Sequence, residues 1–332
     1  MKRLIKVVRL RASLLLLPLS VVPFVAGVPI VIAQHERFDR EHNMGPLAAS
    51  TASLTAAEQA RLKPLPATSA GIPVLVWHGI NAASQAEFAR QLATLKALGY
   101  ESVSAEQWAE FRAGNREGLP LRPVLLTFDD GRLDTYRAAD RVLQRHGMRA
   151  TMFVSTGRIE SGDPRYLTWA ELHGMADSGR WDVEPRGHEG DQTLTVLPDG
   201  TQAPFYAARR YTRSKGMETL PEWEARVATD LFAVNERFED QGLAPHVFAI
   251  PFGDYGQRAG NDPAIPEILT NLLTRQFGNY FVTADSDPGF TAPGAGAATR
   301  YVMHAETTPD SLHAWLRKHS QPPKTLPTKT KR

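Results

Sequence analysis

From about residue 72 onward, short apolar runs alternate with longer amphipathic stretches, and this alternation narrows the possible folds more than any other feature. PVLVWHGI reads as a strand. AEFARQLATLKALG then sets Phe88, Leu92, Leu95 and Leu98 on one face at helical spacing, with Gly99 as the stop. The pattern recurs: YESVS precedes a helix near Ala105–Arg112, VLLTF precedes DTYRAADRVLQRHG, and ATMFV precedes LTWAELHGMADSG. RWDVE opens a longer excursion that ends in the helix PEWEARVATDLFAVNERFEDQG. HVFAI, YFVTA and YVMHA follow, the last leading into PDSLHAWLRKH. About eight strands separated mostly by helices predict an α/β fold, with a parallel sheet and right-handed crossovers, closed or nearly closed into a barrel. An open doubly wound sheet is the alternative.

In parallel α/β folds the ligand lies at the carboxyl ends of the strands. The polar residues that follow the apolar runs are His78, Asp129 with Asp130, Arg186 with His188 and Asp191, Asp254, Asp285 with Asp287, and His304, and they are expected to converge on one rim. Asp129 and Asp130 stand side by side after VLLTF, followed by Gly131, which lets the chain turn sharply. Adjacent carboxylates raise each other's pKa, so such a pair calls for a neutralising cation or a catalytic use of the shift. Metal-assisted hydrolysis meets both needs. One carboxylate and nearby imidazoles hold a divalent ion that lowers the pKa of bound water from about 16 to about 7, and the second carboxylate takes the proton. The plainer alternative is that the doublet caps a helix beginning near Asp134.

TFDDG after an apolar strand resembles the first motif of the NodB-type polysaccharide deacetylases, metal-dependent enzymes that remove N-acetyl or O-acetyl groups from amino-sugar polymers. PVLVWHGI with FARQLATLKALGYESVS resembles the leader of the family's exported, biofilm-type branch. HGMRATMFV resembles its G-x-x-A-T-x-F segment, and FAIPFGDYG its Pro-aromatic-Gly motif, so the likeness runs from about Ile72 to Leu316. The resemblance implies a deformed TIM-like barrel of seven to eight βα units. It further implies that Asp129 is the general base, that Asp130 is a metal ligand, and that Pro251, Phe252, Gly253 and Asp254 shape the substrate groove. Phe205 and Tyr206 are candidates for sugar stacking, His78 for lining the groove, and His304 for protonating the departing amine, although VMH stands where the family usually has leucine-x-histidine. Asp285, with Asp287 beside it, and Arg300 are candidates for tuning the base, Arg300 by holding Asp129 ionised.

At its second motif the family places two metal-binding histidines about four or five residues apart, and here the chain departs from it. WDVEPRGHEGDQ offers a single histidine, with Arg186 and Asp191 where the pair is expected and His188 between them. Arginine stays protonated and has no lone pair to give. Two outcomes follow: a shifted site of Asp130, His188 and Asp191 that holds a divalent ion, zinc by preference, or no ion, with Arg186 paired to Asp130 and a sugar-binding groove that does not hydrolyse.

The first eleven residues, MKRLIKVVRLR, carry five basic side chains, and residues 12–33 are uncharged and largely apolar. This is the layout of a cleaved signal or a membrane anchor, and it implies that the remainder is exported to the cell envelope. Residues 34–69 read as a linker, 70–318 as the catalytic domain and 319–332 as a disordered basic tail. The absence of cysteine excludes disulfides, thiolate metal sites and a cysteine nucleophile, and a net charge of +2 gives no reason to expect nucleic acid. The expected function is deacetylation of an envelope or biofilm glycan. The alternatives are a degenerate carbohydrate-binding or scaffold protein of the same fold, or hydrolysis of an O-acyl ester or cyclic imide.

Overall fold

The computed structural model describes residues 46–66, 70–283 and 287–320. Helix α1 (Ala56–Arg61) comes first. It is followed by β1 (Val74–Trp77), α2 (Gln85–Ala97), β2 (Glu101–Ser102), α3 (Ala105–Arg112), β3 (Pro123–Phe128), α4 (Leu133–His146), β4 (Ala150–Val154), α5 (Thr156–Glu160), α6 (Trp169–Asp177) and β5 (Trp181–Pro185). Two small hairpins come next, β6 (Thr193–Thr195) with β7 (Gln202–Pro204) and β8 (Tyr211–Thr212) with β9 (Gly216–Met217). The chain then runs through α7 (Leu220–Asp240), β10 (Phe248–Ala249), a 3-10 turn (Pro251–Gly253), α8 (Ile265–Phe277), β11 (Asn279–Val282), β12 (Gly296–Thr299), β13 (Tyr301–Val302) and α9 (Pro309–His319).

The strands form a parallel barrel in two pieces. One runs β13-β1-β3-β4-β5, with β2 alongside the start of β3, and the other runs β10-β11-β12. Only Arg300 separates β12 from β13, so these two strands act as one stave and join the pieces on that side. The wall is therefore β1, β3, β4, β5, β10, β11 and β12/β13, seven staves, within the expected range and unlike an open doubly wound sheet. On the other side β5 and β10 share no ladder; a side chain bridges them. The buried Glu184 carboxylate on β5 accepts from His246 N at 2.8 Å, from Val247 N at 3.1 Å and from His246 Nδ1 at 3.0 Å. YESVS contributes only the two-residue β2, whereas GAAT, which lacks β-branched bulk until its last residue, forms β12.

Residues alternate across the wall. Val74, Leu125, Phe153, Ala249, Phe281 and Ala298 fill the interior together with Trp108 and Phe111 of α3. Leu75, Trp77, Leu126, Phe128 and Met152 pack outward against the helices. Trp77 and Phe128 stack at 5.3 Å, and Phe88 of α2 meets both rings edge-on. The helices start where the sequence supplies caps: Ser104 with Gln107, Thr168 with Glu171 and Thr219 with Glu222 each form a capping box.

Residues 46–66 fall in the stretch read as linker, and they lie on the barrel's helical layer. Leu47 N donates to Arg137 O at 2.8 Å, Leu65 is buried, and Arg61 pairs with Asp310 of α9. The apolar segment 12–33 and residues 321–332 lie outside the described residues. Among the described residues no helix is long and apolar enough to cross a membrane.

Candidate functional site

Strand β3 points Leu125 and then Thr127 into the barrel, and Asp129 continues that series at the mouth. Asp130 (φ 75°) and Gly131 (φ 65°) both take the left-handed conformation, which turns the chain outward. A Cβ on Gly131 would come within 3.1 Å of Val154 and Ile159. Asp129 is fully buried. Arg300 grips it with Nη1 at 2.8 Å from Oδ1 and Nη2 at 3.0 Å from Oδ2, while Arg186 Nη1 donates to Oδ2 at 2.5 Å. His78 Nδ1 stands 3.5 Å from the same oxygen. Burial by itself would raise the Asp129 pKa, but the two guanidiniums outweigh it and hold the carboxyl well below the usual range. Asp130 is only partly buried. Burial pushes its carboxyl up, Arg186 acts against that, and Asp129 adds to it. Arg186 Nε lies 3.2 Å from Asp130 Oδ1, so a single guanidinium spans both carboxylates of the doublet. The doublet does not cap a helix: α4 begins at Leu133 with Arg132 as its N-cap.

The second loop explains why Arg186 sits there. It leaves β5 with Arg186 N donating to Val154 O at 2.9 Å, and Asp230 on α7 then fixes the backbone. His188 N donates to Asp230 Oδ2 at 3.1 Å, Glu189 N to Oδ1 at 2.7 Å, and the Tyr206 hydroxyl to Oδ2. A Cβ at Gly190 would fall 2.3 Å from the Tyr206 ring. Held this way, the loop turns the His188 ring toward Thr156, with Nδ1 2.9 Å from Oγ1, and His188 borders a separate cavity of about 780 Å³ beside Phe205, Met217 and Arg226. Asp191 does return to the cleft of the doublet, but its Oδ2 accepts from Arg158 Nε at 2.8 Å.

The expected ligand set of Asp130, His188 and Asp191 is therefore not assembled. His188 is held by Thr156 and does not line the cleft of the doublet, Asp191 is committed to Arg158, and a guanidinium with no lone pair lies against Asp130. No group of three or more His, Cys, Asp or Glu among the described residues is placed to hold a metal ion. The residues present do not fit a divalent cation.

A model of the polysaccharide deacetylase family matches residues 117–262, the span that carries the doublet, the Arg186 loop and the Pro251–Gly253 turn. Over that span the chain is similar to the polysaccharide deacetylase family. It is 26% identical over 208 residues to a poly-beta-1,6-N-acetyl-D-glucosamine N-deacetylase of Escherichia coli K12, covering 55% of this chain and 31% of that protein, so it spans less than a third of this relative's length. A solved de-N-acetylase from Aggregatibacter actinomycetemcomitans superposes with a TM-score of 0.64 at 18% identity, covering 74% of this chain and 99% of that one. IcaB from Ammonifex degensii superposes with a TM-score of 0.55 at 24% identity, covering 77% and 100%. At these identities the superpositions speak to the fold alone. The curated relatives named as N-deacetylases are hydrolases of a non-peptide carbon–nitrogen bond.

The cleft above the doublet measures about 470 Å³. Phe252, at φ 61° and 44% exposed, presents its ring to it, and Gly253, where a Cβ would collide with Thr283, lines it as well. Pro251 is buried beneath them. Arg300 lies on the wall with its guanidinium over the Phe153 and Phe281 rings. Other expected groove residues lie elsewhere. Tyr206 is buried under the second loop, and Phe205 is packed against the Arg226 guanidinium at 4.4 Å, so neither ring is free to stack on a sugar. Asp254 is buried and accepts from Gly256 N and Ala259 N, which shapes the turn. His304 is exposed and lines a neighbouring cavity of about 430 Å³; among the described residues only His78 borders both that space and the cleft. Asp287 binds Trp315, Lys318 and His319 at α9, and Asp285 lies outside the described residues.

Arg158, Tyr166 and Thr283 belong to the cleft but escape a reading of strand ends. Arg158 had a signal, since it follows ATMFV by four residues, on a helix too short to show periodicity. Asp230 had one too: it is a lone carboxylate on the face of α7 that carries Trp223, Val227, Leu231 and Val234.

Proposed function

We propose that this chain is exported and removes acetyl groups from an N-acetylated envelope or biofilm polysaccharide held in the barrel mouth. The observation that carries the proposal is the aspartate doublet at the mouth, beside the exposed Phe252 ring and within the span matched by the family model. The relatives' names support the substrate class, and the basic cap with its apolar run supports export. Phe252 offers an apolar face to a sugar ring. Asp130 faces the cleft with a carboxyl raised by burial, which suits proton transfer to and from water. Asp129, ionised and enclosed, fixes the two guanidiniums that face the acetamide. No step in this reading passes through a metal ion, because the donor set does not fit one.

The test is acetate release from β-1,6-linked N-acetylglucosamine oligomers by the folded protein. Release that disappears in Asp130→Asn supports the reading, and no release under any divalent-ion condition rejects hydrolysis. A second reading, glycan binding without hydrolysis, is favoured by Arg186 and Arg300 occupying the lone pairs of Asp129. It predicts saturable oligomer binding with no acetate.

A further inference from the structure

We infer that the Arg186 guanidinium stands permanently in the place of the divalent cation, so that the cleft carries its own positive charge and engages its glycan without a metal ion. The inference rests on the glycan reading of the site for its ligand, and on the side chains of this chain for everything else.

Charge balance is the first ground. Three carboxylates face the cleft, those of Asp129, Asp130 and Asp191, and three guanidiniums meet them, those of Arg186, Arg300 and Arg158. The cluster is neutral as it stands. A doubly charged ion would have to expel a guanidinium or sit against it, and like charges at such separation repel strongly inside a protein. Commitment of the donors is the second ground. Three of the four expected donors are already taken: Asp129 has two arginines, Asp191 has Arg158, and His188 has Thr156, while Asp130 stands against the Arg186 guanidinium. Rigidity is the third. Arg186 is only 9% exposed in its side chain and leaves a strand end directly. The loop after it is tied at two backbone amides to Asp230, with Tyr206 packed where Cβ atoms at Gly187 and Gly190 would be. Moving Arg186 out or His188 in requires that whole clamp to open, so the guanidinium is a fixture of the fold.

The experiment titrates the full chain with zinc and with manganese after chelator treatment, following uptake by calorimetry and elemental analysis and following the melting temperature. The wild type is expected to bind less than a tenth of an equivalent of either ion and to keep its melting temperature. Arg186→His, which replaces the guanidinium with an imidazole beside Asp130, is expected to bind zinc at least tenfold more tightly than the wild type. Arg186→Lys, which keeps a compact cation, is expected to stay metal-free and serves as the control should the histidine variant fail to fold. One equivalent of zinc on the wild-type chain, or zinc uptake by the lysine variant no weaker than by the histidine variant, overturns the inference. A parallel arm measures binding of β-1,6-linked N-acetylglucosamine oligomers in EDTA and in zinc. Equal affinity in both supports the inference, and affinity only in zinc overturns it. Failure to bind in either buffer counts against the glycan reading and leaves the ion titration to decide the role of Arg186.

Discussion

At Asp129 a fully buried carboxylate receives three guanidinium N–H groups from residues 57 and 171 positions away in the chain. Burial and pairing together set its energetics: removing one of the two guanidiniums leaves the carboxylate only partly compensated in a low-dielectric interior, which costs up to about 3–5 kcal/mol, the cost of a broken buried pair. Arg300→Leu is therefore expected to lower unfolding free energy in urea by up to that amount, with Asp129→Leu in the same chain restoring part of the loss. The pH dependence has a definite sign. A depressed carboxyl stabilises the fold above its unfolded value of about 3.9, and that contribution is lost as pH falls through the lower folded value. Asp129→Asn should flatten this acid limb in chemical denaturation at pH 2–5. The sequence indicated both the doublet and a pairing role for Arg300. It placed Arg186 against Asp130 alone, because the reach of a guanidinium across two carboxylates depends on a backbone path that local residues do not specify.

The second loop shows how one element sets the chemistry of a site. Its two amides on Asp230 and the Tyr206 ring filling the space beside Gly187 and Gly190 leave one conformation, and that conformation separates Arg186 from His188. Gly190→Ala forces a Cβ against the Tyr206 ring at 2.3 Å, so thermal and urea unfolding should show a loss of about 1–3 kcal/mol, the usual cost of overpacking. Tyr206→Phe removes the hydroxyl from Asp230 without changing the ring and should cost about 1 kcal/mol. Elements with strong local signals were readable in advance: α4 ends at Gly147 in the left-handed conformation, and α6 and α7 begin at capping boxes. The five-residue α5 and the glycine- and alanine-rich β12 carry no period long enough to register, and Arg158 was missed along with α5.

Across the whole molecule, alternation of apolar runs and helices was enough to imply a barrel, because seven staves bury both faces of each strand. How the barrel closes could not be read in advance. The seam between β5 and β10 depends on one carboxylate, Glu184, inside a segment that looks like any polar-apolar strand. His246 gains its partner there: hydrogen bonding to Glu184 raises its pKa against the opposing effect of burial. A raised histidine contributes fully below its unfolded value of about 6.5, and the contribution is lost as pH rises through the higher folded value. Burial raises Glu184 as well, which gives the same sign. Stability measured by urea unfolding should thus decline from pH 6 to 9, and His246→Gln should remove most of that slope.

The stave break at Arg300 has a consequence for biosynthesis. Asp129 emerges from the ribosome 171 residues before the guanidinium that forks onto it. Until the last stave is made, the nascent barrel has both an open side and, at its mouth, an anion that lacks the second of its two guanidiniums. Completion of the wall and neutralisation of the mouth are then a single late event, and a chain stopped short of residue 300 would be unfinished in its electrostatics as much as in its shape.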